Sequence, residues 1–406
     1  MAAASNSLRR RVLLKTLGSG MLAGVAGCVS KPRGNSEAGP QDWPYPHFSA
    51  KGTSYNPALV GPRSKPSESW GVEVTGFSRG RPIVHGQTVY YASDRRIRAF
   101  DVEDGTELWA FETEIDYGFR SPLTVDSDHV YIGQTGTRPG VLALSHDGEE
   151  VWHAPTESGV WAPIIKSAPD SDHLFAADTD GYIFRIRTTD GRIDWKTRVF
   201  GPIRALAGNH SAFAVGTEGG EVSMFLDEGP DQEPTGLWRT KLPGGIQALS
   251  AGRAGDVFAG AFGGGVARLE EGLHAGAVRW HQEEPSPHKS VVVGPKRVFA
   301  TDGLGLHAYN ERTGEDSWFA EGDFFAPPAG AGDTIFVSET SEDGGVIAFD
   351  RSGGVGVDSL RFGVRRWRYA LDGGAETGPT PAHDALFVVE SGDKNESARL
   401  VALRAE

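Results

Sequence analysis

The chain reads as a succession of short apolar runs separated by polar, glycine-bearing turns. The runs are "TVYYAS" from Thr88, "HVYIGQ" from His129, "HLFAAD" from His173 and "AFAVGT" from Ala212. They continue as "VFAGAF" from Val257, "VFATDG" from Val298, "TIFVSE" from Thr334 and "LFVVES" from Leu386. β-branched and aromatic residues suit a pleated, half-buried surface, so each run is expected to be a strand. A turn follows each, then a second strand such as "RIRAFD", "GVLALS", "YIFRIR" or "GVIAFD". After it come a glycine turn and a strand that carries a tryptophan.

The tryptophans make the repeat explicit. Trp70, Trp109, Trp152, Trp195, Trp238, Trp280, Trp318 and Trp367 are separated by 39, 43, 43, 43, 42, 38 and 49 residues. Trp43 and Trp161 stand outside the series. A period near 40 is that of a four-stranded propeller blade. In "DVEDGTELW", residues 101–109, Asp101 and Asp104 are expected to bond nearby backbone N–H groups. Gly105 can take a positive φ at little cost. Trp109 is expected to bury against the neighbouring blade, filling the seam between the two.

The unit resembles the tryptophan-docking repeat of pyrroloquinoline-quinone-type propellers, roughly A-x-D-x-x-T-G-x-x-x-W. "AFDVEDGTELW" from Ala99 matches closely and "AYNERTGEDSW" from Ala308 nearly as well. The units at Trp238, Trp280 and Trp367 depart, with longer inserts such as "RSGGVGVDSLRFGVRR". The resemblance covers about residues 43–406. It implies an all-β fold, an eight-bladed propeller of four-stranded blades. After Trp367 the chain supplies "LFVVES" and "RLVALRAE" but no tryptophan strand, whereas "SWGVEVTG" with Trp70 lacks the strands before it. The N- and C-terminal strands should therefore pair to complete one blade. "DWPYPHFSAKGTSYNP", residues 42–57, is expected to pack across the outside or the bottom as a lead-in.

The N-terminus changes the picture of where such a propeller works. In "LRRRVLLKTLGSGMLAGVAGC", residues 8–28, Arg10 and Arg11 begin a stretch that looks like a twin-arginine export signal. The apolar part is shorter than the roughly 20 residues that span a bilayer. "VAGC" resembles a lipobox, in which Cys28 would be lipidated. The expected organisation is a signal over 1–28, a flexible tether over 29–41 and the propeller over 42–406. The protein would then hang by lipid from the outer face of the cytoplasmic membrane.

Composition adds three limits. The formal net charge is −14, which argues against nucleic acid as a partner. The acidic, lysine-poor composition resembles that of proteins from salt-loving archaea. Cys28 is the single cysteine, so neither an internal disulfide nor a cysteine metal site can form.

Two related groups share the resembled fold. One holds a quinone and a calcium ion on the propeller axis and is catalytic. The other resembles the bacterial outer-membrane assembly lipoprotein, a scaffold without cofactor. The sequence favours the scaffold, with a protein partner and no catalytic, cofactor or metal residues assigned. Paired cysteines against a quinone cannot exist here, and the histidines show no metal spacing. A quinone-dependent dehydrogenase is the alternative. The segments leading into the innermost strands are expected to converge at one channel mouth. They carry Arg79, Arg81, Arg120, Trp161, Arg204, His288, Lys289 and Phe325. Such a basic and aromatic group on an acidic protein suits an anionic ligand or an acidic partner segment. The competing reading pairs each arginine with Glu114, Asp116, Glu157 or Glu376. "NHS" at Asn209 and "NES" at Asn395 are glycosylation sequons placed on expected turns.

Overall fold

A computed structural model describes residues 38–406, apart from 116–117, 167, 169, 210, 253–254, 288, 358–359, 392–396 and 406. Eight antiparallel four-stranded sheets succeed one another along the chain and form an eight-bladed β-propeller. Blade 1 runs Ile83–His85, Thr88–Ala92, Arg96–Asp101 and Glu107–Glu112 from the axis outward. The innermost strands of blades 2 to 7 are Thr124–Val125, Ile165–Lys166, Ile203–Asn209, Gly245–Ala251, Val292–Gly294 and Ala329–Ala331. Blade 8 is closed by its outer strand, Ser67–Val74, which pairs with Ala398–Arg404; Trp70 stands opposite Ala402. The ring is thus fastened by its two ends, as the strand count requires. The insert after Asp350 forms a small hairpin, Val355–Val357 with Leu360–Phe362.

In six of the tryptophan turns the glycine has a second reason beyond its φ. A Cβ on Gly191 (φ 71°) would lie 2.6 Å from the ring of Trp152, which belongs to the preceding blade. Gly105 meets Trp70, Gly148 meets Trp109, Gly276 meets Trp238, Gly314 meets Trp280 and Gly353 meets Trp318 in the same way. Each of these six indoles lies on bare backbone, where any side chain would hold it off; Trp195 has no such glycine and stacks instead on Phe213. Several indoles also donate to a carbonyl of that turn: Trp70 to Val102 (3.2 Å), Trp109 to His146 (2.7 Å) and Trp152 to Thr188 (2.8 Å). Trp367 faces the blade whose outer strand is N-terminal, so no such turn exists there. Its indole donates instead to the Pro62 carbonyl at 2.9 Å. The turn aspartates behave as expected, Asp101 accepting from the Glu103 N–H and Asp104 from the Thr106 N–H, both at 2.9 Å.

Of the two paths expected for it, the lead-in takes the bottom, where it follows the innermost strands around the axis. Each innermost strand presents an unpaired edge toward the channel, and buried backbone groups need partners. Residues 41–56 supply them. Trp43 and Val84 exchange two bonds of 2.8 and 3.0 Å in blade 1. Pro44 accepts from Val125, Ala50 from Gly208, Lys51 from Ala251 and Thr53 from Val293. Ser54 accepts from Gly330, Asn56 from Gly332 and Gln41 from His383. The segment therefore visits seven of the eight blades where their innermost strands leave the axis. Tyr55–Asn56 runs parallel to Ala329–Ala331 as a fifth strand of blade 7. Asp42 is the buried anchor, bonded to His383 (2.9 Å) and the Gly86 N–H (3.1 Å). Asn209 ends an innermost strand at this plugged end, paired with Ala212, rather than sitting on a turn. Asn395 lies outside the described residues.

The seam makes a clear prediction for equilibrium unfolding in urea. Trp152→Ala should cost about 3–5 kcal/mol through the cavity it leaves. Gly191→Ala should cost more than about 1 kcal/mol, since strain and collision with the indole add. Gly229→Ala is the control, because Gly229 also has a positive φ (103°) but nothing within 4 Å of its Cβ position. Equal losses for the two glycines would mean that the indole contact is not what reserves the position.

Candidate functional site

With one end of the channel closed by the lead-in, the other end is an open cup of about 400 Å³. Its walls come from the segments that lead into the innermost strands. Each pairs briefly with the second strand of its blade, at Ser78–Ser93, Phe119–Gln134 and Val160–Asp178. Pairing then lapses around Pro82, Pro122 and Pro163, and proline explains the lapse because it has no N–H to donate. The residue two or three places ahead of the proline lines the axis.

The cup gathers most of the residues named from the sequence. Arg79, Arg81, Arg120, Trp161, Arg204 and Lys289 all line it. His288 lies outside the described residues. Phe325 is exposed on the rim and is not among the lining; its ring covers the Gly303 turn of blade 6. Sequence reasoning missed Pro46 and His47, the floor contributed by the lead-in, and Gln247 and Glu218 on the wall. The "PYPH" stretch, with two prolines barring regular pairing before a histidine, was the one available signal for the floor.

The cations play different parts. Arg81 is buried and structural: its guanidinium donates to the carbonyls of Pro327 (2.8 Å), Pro328 (3.0 Å) and Pro379 (3.0 Å). It also lies 5.6 Å from the ring centre of Trp43. Burial brings its pKa down to about 9. Arg120 and Arg204 flank the same indole, 5.3 and 4.2 Å from the centre of Trp161, a cation–π arrangement that fixes both guanidinium groups. Arg204 is bonded to Glu218 at 2.6 Å. Lys289 takes a left-handed backbone (φ 65°) and keeps contact with solvent from within the concave wall. Dehydration there, followed by the charge of Arg79, lowers its pKa. Of the acid partners expected for these arginines, Glu157 pairs with Lys196 and Glu376 accepts from Ser78, while Asp116 lies outside the described residues.

His47 on the floor is held neutral. Burial, then the charge of Arg81, brings its pKa to about 3, and its Nδ1 lies 3.3 Å from the Ser54 hydroxyl. Next to the floor, Lys166 of blade 3 bonds Asp126 of blade 2 at 2.8 Å, and Tyr131 donates to the same oxygen at 3.0 Å. Burial alone would raise the Asp126 pKa, but the Lys166 hydrogen bond and charge outweigh it and lower it.

A calcium-dependent quinone site was the alternative, and the lining does not fit the metal. Calcium takes six to eight oxygen ligands, chiefly carboxylates and carbonyls. Among the described residues, the lining holds five cations and one carboxylate, Glu218, already bonded to Arg204. A divalent cation would be repelled. Among the described residues no group of three or more His, Cys, Asp or Glu could hold a metal ion. What the arrangement can do is attract and orient negative charge.

Two outcomes separate these roles. Arg81→Met should destabilise by about 3 kcal/mol or more, since it strands buried carbonyls, whereas Arg120→Gln should change unfolding free energy little. For pH, a histidine whose folded pKa is depressed gives stability above its unfolded pKa of 6.5 that is lost as pH falls toward about 3. His47→Gln should flatten the stability–pH slope in that window by up to about 1.4 kcal/mol per pH unit. An unchanged slope would mean that His47 is not held neutral.

Comparison with known proteins gives consistent results. The family model described as outer membrane protein assembly factor BamB matches residues 63–158 and 138–357. The chain is 23% identical over 272 residues to outer membrane protein assembly factor BamB of Yersinia pestis. That alignment covers 58% of this chain and 66% of that protein. The crystal structure of BamB from Moraxella catarrhalis superposes with a TM-score of 0.66 at 15% identity, over 84% of this chain and 100% of that one. Quinohemoprotein alcohol dehydrogenase from Comamonas testosteroni gives 0.65 at 12% identity, over 89% and 80% of the two chains. At such identities the structural likenesses speak for the fold alone, which scaffold and enzyme share. The family model spans well over half of the sequence, and the chain belongs to the family described as outer membrane protein assembly factor BamB.

Proposed function

We propose that the protein is an exported, lipid-anchored, non-catalytic scaffold that holds a protein partner on the open face of its propeller. Family membership carries the reading, because the matched relative is an assembly factor by name. The surface supports it. The rim of the cup and the turns beside it carry exposed Phe77, Trp161, Phe200, Phe262, Leu304 and Phe325, and Phe200 is 90% exposed. Exposed aromatics gathered on one face mark interaction surfaces more than chance does. Cys28 would carry the lipid, Arg10 and Arg11 the export signal, and residues 29–41 the tether. That arrangement puts the propeller on the outer face of the cytoplasmic membrane. The acidic surface suits work in high salt.

A second reading, a quinone-dependent dehydrogenase, draws on the likeness to the Comamonas enzyme and on an axial cup in the range of small-molecule sites. A native mass spectrum of the protein, released gently from its own membranes, separates the two. The scaffold predicts a lipid-modified chain beginning at Cys28 and carrying the added mass of a second protein. Added mass of a few hundred daltons, matching a quinone with calcium, would overturn it. Cys28→Ser should release the protein from the membrane fraction, and full retention would remove the lipid anchor from the account.

A further inference from the structure

We propose that the plugged end of blade 7 rests on a membrane surface, with Val355 and Phe362 seated among the lipid headgroups and upper acyl chains. The two residues stand opposite each other in the hairpin that joins the third strand of blade 7, Gly345–Asp350, to its outer strand, Arg365–Ala370. They are 82% and 76% exposed. The same connection in blades 1, 2, 3 and 6 is a short polar turn: "EDG" at 103–105, "HDG" at 146–148, "TDG" at 189–191 and "RTG" at 312–314. In blade 7 it is "RSGGVGVDSLRFGV", with apolar residues at 355, 357, 360 and 362. Among the described residues no other connection forms a sheet of its own. Asp358 and Ser359, between the two strands, lie outside the described residues. A hairpin that shows valine and phenylalanine to water is unfavourable unless something covers them.

The path of the chain points to the covering surface. The base of the hairpin sits beside the plugged-end turn of blade 7, where Arg351 Nε donates to the Gly332 carbonyl at 3.0 Å. The Gly332 N–H bonds Asn56 of the lead-in, and the Asn56 side chain donates to the Pro40 carbonyl at 2.9 Å. The tether therefore enters the propeller beside the blade that carries the hairpin. Cys28 lies ten residues before Ala38. Ten residues reach at most about 35 Å and average about 17 Å as a flexible chain. A lipid on Cys28 would hold this end of the propeller near the bilayer, and to that extent the inference rests on the anchor proposed above. Val60 is exposed near the same turn, since the Leu59 carbonyl lies 2.8 Å from where a Cβ on Gly332 would be.

Charge fits the same surface. Residues 351–368 hold five arginines and one aspartate on a protein of net charge −14. Arg366 pairs with Asp333 and Asp350, and Arg368 with Glu339. Lys65 and Arg365 are exposed at the same end of blades 8 and 7. Basic stems beside apolar residues suit anionic headgroups over hydrocarbon. A second copy or another protein fits less well. A stable protein interface takes about 800 Å² and roughly 20–30 residues on each side. A hairpin of three residues per strand supplies far less, and a bilayer asks for no such area. Seated this way, the open face of the propeller points away from the membrane and stays accessible to a partner.

The test uses the protein extracted from its own membranes and placed in vesicles of equal parts phosphatidylcholine and phosphatidylglycerol. A photo-crosslinking residue replaces Phe362 and, in a second protein, Leu304 on the open side, which is also exposed. Illumination should give lipid adducts at position 362 and none at position 304. The mass of the Cys28 peptide reads the anchor in the same samples. Lipid adducts at 362 with Cys28 unmodified would support the hairpin contact and remove the anchor. A lipidated Cys28 with no lipid adduct at 362 would overturn the contact and leave the anchor standing. Adducts at 362 to a second copy of the chain would also overturn it, as would equal lipid adducts at both positions. Val355→Ser combined with Phe362→Ser changes only exposed residues, so the unfolding midpoint should hold. The pair should speed transfer of the lipidated protein to acceptor vesicles roughly tenfold. Leu304→Ser should not. An unchanged transfer rate in the double variant would overturn the proposal.

Discussion

Everything in this molecule depends on a flat indole lying on a turn that has no side chain. A blade has two faces and must bury both, so the ring is only as stable as its seams. Each tryptophan fills one seam, and at six of them a glycine of the next blade allows the ring to approach the backbone. The contact is local in sequence, about 40 residues apart, so each blade can add to the last as in other repeat architectures. Two junctions are not made that way: Trp195 stacks on Phe213 in place of a turn glycine, and the second lies at the ring closure. Where the C-terminal strands meet Ser67–Val74, there is no turn to receive Trp367, and the Pro62 carbonyl takes its place.

A closed ring leaves a second problem at its centre. Eight short innermost strands face the axis with bonding groups that no neighbour in their own blade satisfies. The lead-in answers it by running across the plugged end and bonding blade after blade, with the buried Asp42 as its anchor. This fixes the polarity of the whole protein. One end of the channel is sealed by backbone, and the other opens as a cup whose floor is the same segment. The segments that lead into the innermost strands then turn residues inward, which brings five cations together on an acidic protein.

How much of this the sequence displayed depends on the kind of interaction. The seams were legible because Trp109, Trp152 and Trp195 recur at a fixed spacing with turns of the same chemistry. Ring closure was legible because strands could be counted at both ends. The convergence of Arg79, Arg120 and Arg204 was legible because each lies in the segment that enters the innermost strand of its blade. The path of residues 42–57 was not, since its bonds are backbone to backbone with strands far away in sequence, and such bonds leave no side-chain pattern. The division of labour between Arg81 and Arg120 was hidden for a related reason. It is decided by three proline carbonyls of blades 7 and 8, which come near only once the ring has closed.

The central claim is that the open, basic face is the working face and the plugged face is not. A photo-crosslinking residue placed at Phe200, on the open side, and in a second protein at Leu273, on the plugged side, tests it directly, since both positions are fully or almost fully exposed. After illumination of intact cells, the account predicts a discrete adduct from position 200 and none from position 273. Adducts from position 273 alone, or equal adducts from both, would contradict it.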